Sequence, residues 1–362
     1  MSFMSHVSVD VREVGIDQID TVIDLLCQRD ELLHGFDSVR SILANLDPSK
    51  LRAWVAYVGD DPAGFNSIYL RNIHWQKRQL TAGYWAHLYV RPAYRKLMIY
   101  PRLIFAMLQS ARKKGPEMIF TATRQPAVAA GHQKLGFQLI GTLPVRHKPL
   151  RPFRLLAKHW PIAQWAVGLS PPLDALYHPY LALRRRVGNS SLVTNDLDVD
   201  SSDISPLLQL IAAESNGKVS QNWSAESLRQ RFGCTIDGNH YLLRSARRGH
   251  DLVAAIISVE KVRGNDIRTG VILDLLFKPN EQNAALQLLV EAEQRLMRAD
   301  CEVILCLDSM GQDASDIIQR MGFRKAPATY HMLVWPKELV PSGSWPSNIN
   351  NWRFTFADHD AF

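Results

Sequence analysis

The residues able to do chemistry in this chain are few and widely spaced. His132 lies near the end of an expected helix and His87 on an expected strand, and histidine titrates near neutral pH, so each can give or take a proton. Asp274 is the only charge in the apolar run Val271 to Phe277, where a buried carboxylate needs a partner and often marks a site. Arg95 and Lys96 stand in the segment Tyr94-Arg95-Lys96-Leu97-Met98-Ile99-Tyr100, between a strand ending at Val90 and a helix. Such a helix start offers unpaired N–H groups and a positive dipole end to a phosphate. The four cysteines, Cys27, Cys234, Cys301 and Cys306, form no CxxC pair and have no histidine at zinc spacing. No metal is expected, and the thiols read as reduced core groups.

These residues must be positioned by more than one core. At 362 residues the chain exceeds a single typical domain, and roughly 150 residues per domain predicts two. A hydrophobic fraction of 46% with 21% charged residues excludes a chain that must stay disordered. There is no apolar run of about 18 residues and no signal-like N-terminus, so the expected location is the cytoplasm. The net charge of +7 favours an anionic partner: coenzyme phosphates, a nucleic acid or an anionic membrane surface.

Hydrophobic periodicity predicts a strand over 7–13, helices from Asp17 and over Ser38 to Leu46, a hairpin of Trp54 to Val58 with Ala63 to Trp75, and a strand Gly83 to Val90. A helix Ile99 to Lys114, a strand Met118 to Thr123, a helix Pro126 to Lys134 and a strand Gln138 to Thr142 follow. The stretch 152–187, rich in Trp, Pro and Arg, reads as a helical connector, with peripheral membrane contact as its functional alternative. After Gly188 to Ser191 the same order of elements begins again.

The repeat is visible in two motifs. Ala86-His87-Leu88-Tyr89-Val90-Arg91-Pro92 pairs with Leu273-Asp274-Leu275-Leu276-Phe277-Lys278-Pro279, and Gln133-Lys134-Leu135-Gly136-Phe137 pairs with Gln319-Arg320-Met321-Gly322-Phe323. Pro92 and Gly136 lie 44 positions apart, Pro279 and Gly322 43 apart, so both motifs recur in register.

A strand ending V-x-P, an Arg-containing loop opening a helix, and a later helix ending L-G-F resemble the GNAT superfamily of N-acyltransferases, over nearly all of both halves. The resemblance implies an α/β (α+β) fold of two tandem GNAT-like domains, each a mixed, mostly antiparallel sheet flanked by helices. Residues 1–150 form the first, 151–189 a basic connector, 190–340 a degenerate second domain and 341–362 a tail. It further implies an acyl-CoA donor, acetyl-CoA first, and a small-molecule or peptide amine as acceptor. The backbone of Leu88, Tyr89 and Val90 would receive the donor's acyl arm, the segment Arg95, Lys96, Leu97, Met98, Ile99 and Tyr100 its pyrophosphate, and Arg124 its pantetheine. His132 holds the position of the family's usual Tyr and becomes the candidate acid for the leaving thiolate. His87 stands as base or orienting group, and Asp274 as a ligand of the acceptor amine. The tail, through Trp352, is expected to close the site of the first domain.

The donor loop departs from the family pattern. Only Arg95 is kept, and Met98 and Tyr100 replace small residues that let backbone approach phosphate. Three readings therefore stay open: acyl-CoA held by Arg95, Lys96 and the helix end; an acyl carrier or aminoacyl-tRNA as donor; or a non-catalytic ligand- or partner-binding module. The corresponding loop of the second half, Asn280 to Ala285, has no basic residue and is not expected to bind a coenzyme.

Overall fold

The computed structural model describes residues 8–15, 18–28, 48–75, 78–159, 168–184, 192–201, 204–233, 241–263, 266–336 and 346–359. The helix expected over Ser38 to Leu46, the Gly188 to Ser191 junction and the start of the tail lie outside the described residues.

In the first half the elements run β1 (Val9–Val14), α1 (Ile19–Cys27), β2 (Leu51–Val58), β3 (Asp61–Trp75), β4 (Arg78–Val90), α2 (Ile99–Lys114), β5 (Met118–Thr123), α3 (Pro126–Lys134) and β6 (Gln138–Pro149). Two connector helices follow, α4 (Pro152–His159) and α5 (Ser170–Arg184). The second half runs β7 (Val193–Asp196), α6 (Ile204–Glu214), β8 (Ser220–Gln221), α7 (Ala225–Leu228), β9 (Tyr241–Arg248) and β10 (Asp251–Arg263). It continues with β11 (Ile267–Phe277), α8 (Gln282–Arg298), β12 (Val303–Leu307), α9 (Gln312–Arg320) and β13 (Arg324–Pro336). Among the described residues no helix is long and apolar enough to cross a membrane.

The chain divides into two compact units, Met1–Gly141 with His331–Asn351, and Thr142–Tyr330 with Trp352–Phe362. The dividing points differ from the simple halves read in the sequence because the closing strands change places. In the first unit β1 to β5 lie side by side in chain order, antiparallel except for the parallel pair β4–β5. The free edge of β5 is taken by the end of β13, with His331 opposite Thr123 and Pro336 opposite Met118. In the second unit β6 pairs with β12, from Pro149 opposite Val303 to Val145 opposite Leu307. The order onward is β12, β11, β10, β9, β7, again antiparallel except for β11–β12.

Each unit has its own core. In the first, α2 turns Ile99, Leu103, Ile104, Met107, Leu108 and Ala111 inward, the helical spacing of the sequence. They meet Trp54, Ile68, Trp85, Phe137 and Trp335. Burying each large aliphatic side chain contributes about 1.5–3 kcal/mol. In the second, α8 packs Leu286, Leu288 and Leu289 with Ile272, Leu275, Ile304 and Ile318.

The repeated Gly-Phe has one cause in both units. Gly136 and Gly322 hold φ of +94° and +89°, a left-handed turn that side chains rarely adopt. The N–H of Phe137 reaches His132 O at 3.2 Å and that of Phe323 reaches Ile318 O at 3.2 Å, the Schellman closure of a helix end. Both phenylalanines are then buried.

Candidate active site

The site of the first unit begins with a defect in β4. Ser67 faces His87 but Ile68 faces Trp85, so Ala86 is an extra residue and the strand bends there. β4 pairs with β5 only from Ala82–Met118 to Tyr84–Phe120. One last bridge crosses, Thr121 Oγ1 donating to Trp85 O at 3.0 Å, and the two parallel strands then part. Beyond the bulge the phase of β4 is fixed by the Arg91 N–H, which donates to Ala63 O on the β3 side at 2.9 Å. Alternation then turns the N–H groups of Leu88 and Val90 away from β3, toward the edge that β5 has left. His87, Leu88, Tyr89 and Val90 are all partly exposed there.

The donor loop is a 3-10 turn, Pro92–Leu97, closed by Met98 at φ 54°, ψ 33°. Met98 thus holds the left-handed conformation that a glycine would take at no cost, and the backbone turn survives the lost glycine. Its side chain is 66% exposed and points to solvent, while Ile99 is buried and anchors the turn in the core. No side chain caps α2, so its first N–H groups are not claimed by a cap. Asp61 braces the turn from behind: its carboxylate accepts from Arg91 Nη1 at 2.7 Å and from the Tyr94 hydroxyl. The Tyr94 hydrogen bond, with Arg91, lowers the Asp61 pKa. Arg95 and Lys96 are exposed on the turn, and Arg95 Nε donates to Val90 O at 3.3 Å. Arg124 is exposed just after β5 ends.

His132 does not have the setting its expected role requires. It is 3% exposed, stacked on Trp85 with ring centroids 4.2 Å apart, and packed against Phe137. Burial lowers its pKa to about 4, so at neutral pH it is an uncharged imidazole with no imidazolium proton to give. Its Nδ1 lies 2.6 Å from the hydroxyl of Tyr100. Burial pushes that phenol up to about 12, so it stays protonated. The phenol fits because residue 131 is glycine: a Cβ there would stand 3.2 Å from the Tyr100 oxygen. Tyr100, read from the sequence as an obstacle in the donor loop, therefore folds back beside the parted strands. His87 meets the ring of Tyr69 edge-on at 5.8 Å on the open stretch of β4.

The second unit repeats the scaffold and fills it. The β10–β11 register shifts between Ile257 and Ser258, leaving Leu273 as the extra residue at the place of Ala86. Lys278 N–H donates to Val253 O at 2.9 Å, as Arg91 does to Ala63. The N–H of Leu275, counterpart of Leu88, donates to Asp274 Oδ1 at 2.9 Å. That of Phe277, counterpart of Val90, donates to the carboxylate of Glu214 on α6, whose pKa burial raises against the pull of Arg353 and this N–H. Arg353 Nη2 lies 2.7 and 2.9 Å from the two oxygens of buried Asp274. With its carboxylate so engaged, Asp274 is not available to hold an amine, and the partner its burial requires is the tail arginine.

The tail from Trp352 belongs to this second unit and not, as expected, to the first. Val219 forms an isolated bridge with Trp352, Ser309 Oγ donates to Phe354 O, and Arg231 Nη2 donates to His359 O at 2.9 Å. Glu214 and Arg353 are the residues sequence reading missed. The one available signal was an arginine inside the alternating stretch Trp352-Arg353-Phe354-Thr355-Phe356.

Residues 20–137 match the profile of the family described as the acetyltransferase (GNAT) family. Comparison with curated protein sequences gives no match. Among solved structures, N-myristoyltransferase of Saccharomyces cerevisiae with bound myristoyl-CoA is similar with a TM-score of 0.66 at 13% identity, over 98% of this chain and 85% of that one. A GCN5-related N-acetyltransferase from Anabaena variabilis gives 0.61 at 12% identity, over 90% of this chain and 72% of that one. A probable N-acyltransferase from Enterococcus faecalis gives 0.62 at 10% identity, over 92% and 73%. These likenesses show the fold. The profile match lies within the first unit and covers about a third of the chain.

Proposed function

We propose that the first unit moves an acyl group from acyl-CoA to a primary amine of a small molecule, amino sugar or peptide, in the cytoplasm. The observation that carries this reading is the edge of β4 beyond its pairing with β5, beside an uncapped helix start, where among the described residues the Leu88 and Val90 N–H groups have no counterpart of the Asp274 and Glu214 acceptors of the second unit. The second unit is then a duplicate that has lost its donor site.

In this reading the Leu88 N–H polarises the thioester carbonyl, and the start of α2 with Arg95 and Lys96 receives the pyrophosphate. Arg124 lies along the pantetheine, and His87 takes the proton released by the amine. The proton for the departing thiolate comes from Tyr100 rather than from His132. The amine nitrogen bonds to the carbonyl carbon, the C–S bond breaks with its electron pair on sulfur, and the phenol protonates that sulfur. The phenol then recovers a proton from solvent, leaving amide and free thiol. His132 is a positioning residue that holds the hydroxyl 2.6 Å from Nδ1. Acetyl is the acyl group put first, from the family description; the yeast structure holds myristoyl-CoA, so donor length must be measured.

The test is thermal stabilisation by CoA, acetyl-CoA and myristoyl-CoA. A ligand bound only to the native state at 100 times its dissociation constant adds about 2.7 kcal/mol. A saturable rise with a thioester, reduced by Arg95→Ala, supports the reading. No rise with any of the three overturns it.

A further inference from the structure

The space between the parted strands of the first unit ends in a wall. β4 and β5 leave each other beyond the pair Tyr84 and Phe120, and the point of separation is tied by Thr121 Oγ1, which donates to Trp85 O at 3.0 Å. Thr121 and Trp85 are both buried, so water does not compete for this hydrogen bond. Both faces of the sheet are closed at the same level. Toward α2 the Trp85 indole is stacked on His132 and lies 5.5 Å from the ring of Phe137, and its Nε1 donates to His87 O at 3.2 Å. Alternation puts Tyr84 and Phe120 on the opposite face, where their rings lie 5.2 Å apart and both are buried. A close-packed wall of this kind does not admit extra methylenes without strain.

The direction of the donor decides what the wall does. In the acyl-transfer reading, on which this inference rests, the pyrophosphate lies at the start of α2 and the thioester carbonyl at the Leu88 N–H. A linear donor laid along the edge of β4 from that end carries its acyl chain onward from Leu88 toward Trp85. Leu88 is three positions from Trp85, at most roughly 10 Å of strand, and the bulge at Ala86 shortens that distance. An acetyl or propionyl group ends before the wall. A myristoyl chain, with thirteen carbon–carbon bonds of about 1.5 Å, does not.

We infer that Thr121 sets the acyl length of the donor. Its bridge to Trp85 seals the separating strands, so the site takes acetyl and propionyl thioesters and refuses hexanoyl and longer chains.

The test is a ladder of CoA, acetyl-CoA, propionyl-CoA, hexanoyl-CoA and myristoyl-CoA, with dissociation constants measured on the full chain by isothermal titration. Wild type is expected to bind acetyl-CoA and propionyl-CoA alike and hexanoyl-CoA about tenfold more weakly, the cost of forcing methylenes into a packed wall. Thr121→Ala removes the bridge and should close most of that gap, while Thr121→Ser keeps the hydroxyl and the wild-type ratio. Thr121→Val, of similar volume but without the hydroxyl, gives the same comparison should the alanine variant not fold. The inference is overturned if wild type binds hexanoyl-CoA or myristoyl-CoA as tightly as acetyl-CoA, or if the folded variants lacking the hydroxyl keep the wild-type ratio. Absence of binding by every member of the ladder, free CoA included, overturns the acyl-transfer reading as well, so the two failures are told apart.

Discussion

The two units carry the same strand defect and put it to opposite uses. In the first, the bulge at Ala86 lets β4 and β5 part, and the N–H groups of Leu88 and Val90 face the space between them. In the second, the bulge at Leu273 opens a matching space, but Asp274 and Glu214 accept the equivalent N–H groups and Arg353 pairs with Asp274. A duplicated scaffold supplies unpaired backbone donors twice. Unpaired buried donors are costly, so the second copy, where Leu275 and Phe277 are buried, must supply acceptors of its own, while the first leaves the partly exposed N–H groups of Leu88 and Val90 to solvent or a ligand. The second copy supplies its own and becomes structure.

The contrast breaks most visibly at Arg353. Arg353→Ala leaves Asp274 buried without its counter-charge and should cost about 3–5 kcal/mol in denaturant unfolding, with the affinity of the folded protein for acyl-CoA unchanged. If instead stability holds and acyl-CoA affinity drops, the second unit is the donor site and the roles assigned here are reversed.

Leu88→Pro deletes the N–H on the open edge without removing a bond to β3, whose ladder uses the other face of the strand. Turnover of acyl-CoA should fall about 100-fold to 1,000-fold, as when one oxyanion donor is lost. The companion Leu275→Pro should lower stability, by removing the donor to Asp274, and leave turnover in the folded fraction intact. Equal losses of turnover from both changes would erase the distinction.

A third difference lies in acid. Because burial lowers the His132 pKa to about 4, its folded value is below its unfolded one. As pH falls from about 6.5 the unfolded chain takes up the proton first, so the stability this neutral imidazole contributes at neutral pH is lost progressively and is gone below about pH 4. The amount is about 3 kcal/mol. His132→Leu should flatten that part of the stability profile of the first unit, leaving the share of His147, whose pKa burial lowers in the second. An unchanged slope would mean that His132 is protonated in the folded protein.

The smallest effect is expected at Met98. Met98→Gly relieves the left-handed residue and should stabilise the chain by about 1 kcal/mol, with donor affinity kept or improved because the turn is already formed. A loss of donor affinity would show that the exposed methionine side chain touches the donor.

Local elements were largely readable. The helix read as Ile99 to Lys114, the strand Met118 to Thr123 and the helix Pro126 to Lys134 stand at those limits, because apolar spacing, Pro126 at a helix start and glycine after a helix end act within a few residues. The Gly-Phe turns were legible for the same reason. The exchange of β6 and β13 was not. Both strands follow a Gly-Phe turn, and pairing with β5 or β12 is settled by contacts between residues 154 to 218 positions apart. The site was legible in its address and not in its chemistry. Position singles out His132, but its protonation depends on Trp85 stacked on it, and the role of Tyr100 depends on its hydroxyl lying 2.6 Å from Nδ1.

The sequence by itself determined a twofold scaffold, the place of each strand-to-helix turn, and which half retains basic residues near a helix start. Those are consequences of residue type at short range. Only the tertiary structure decided which copy stays open, because that rests on where Glu214 and Arg353, distant in the chain from Asp274, bring their charges. Burial then sets what those charges and the neighbouring phenol and imidazole can do, and burial is a property of the packed molecule.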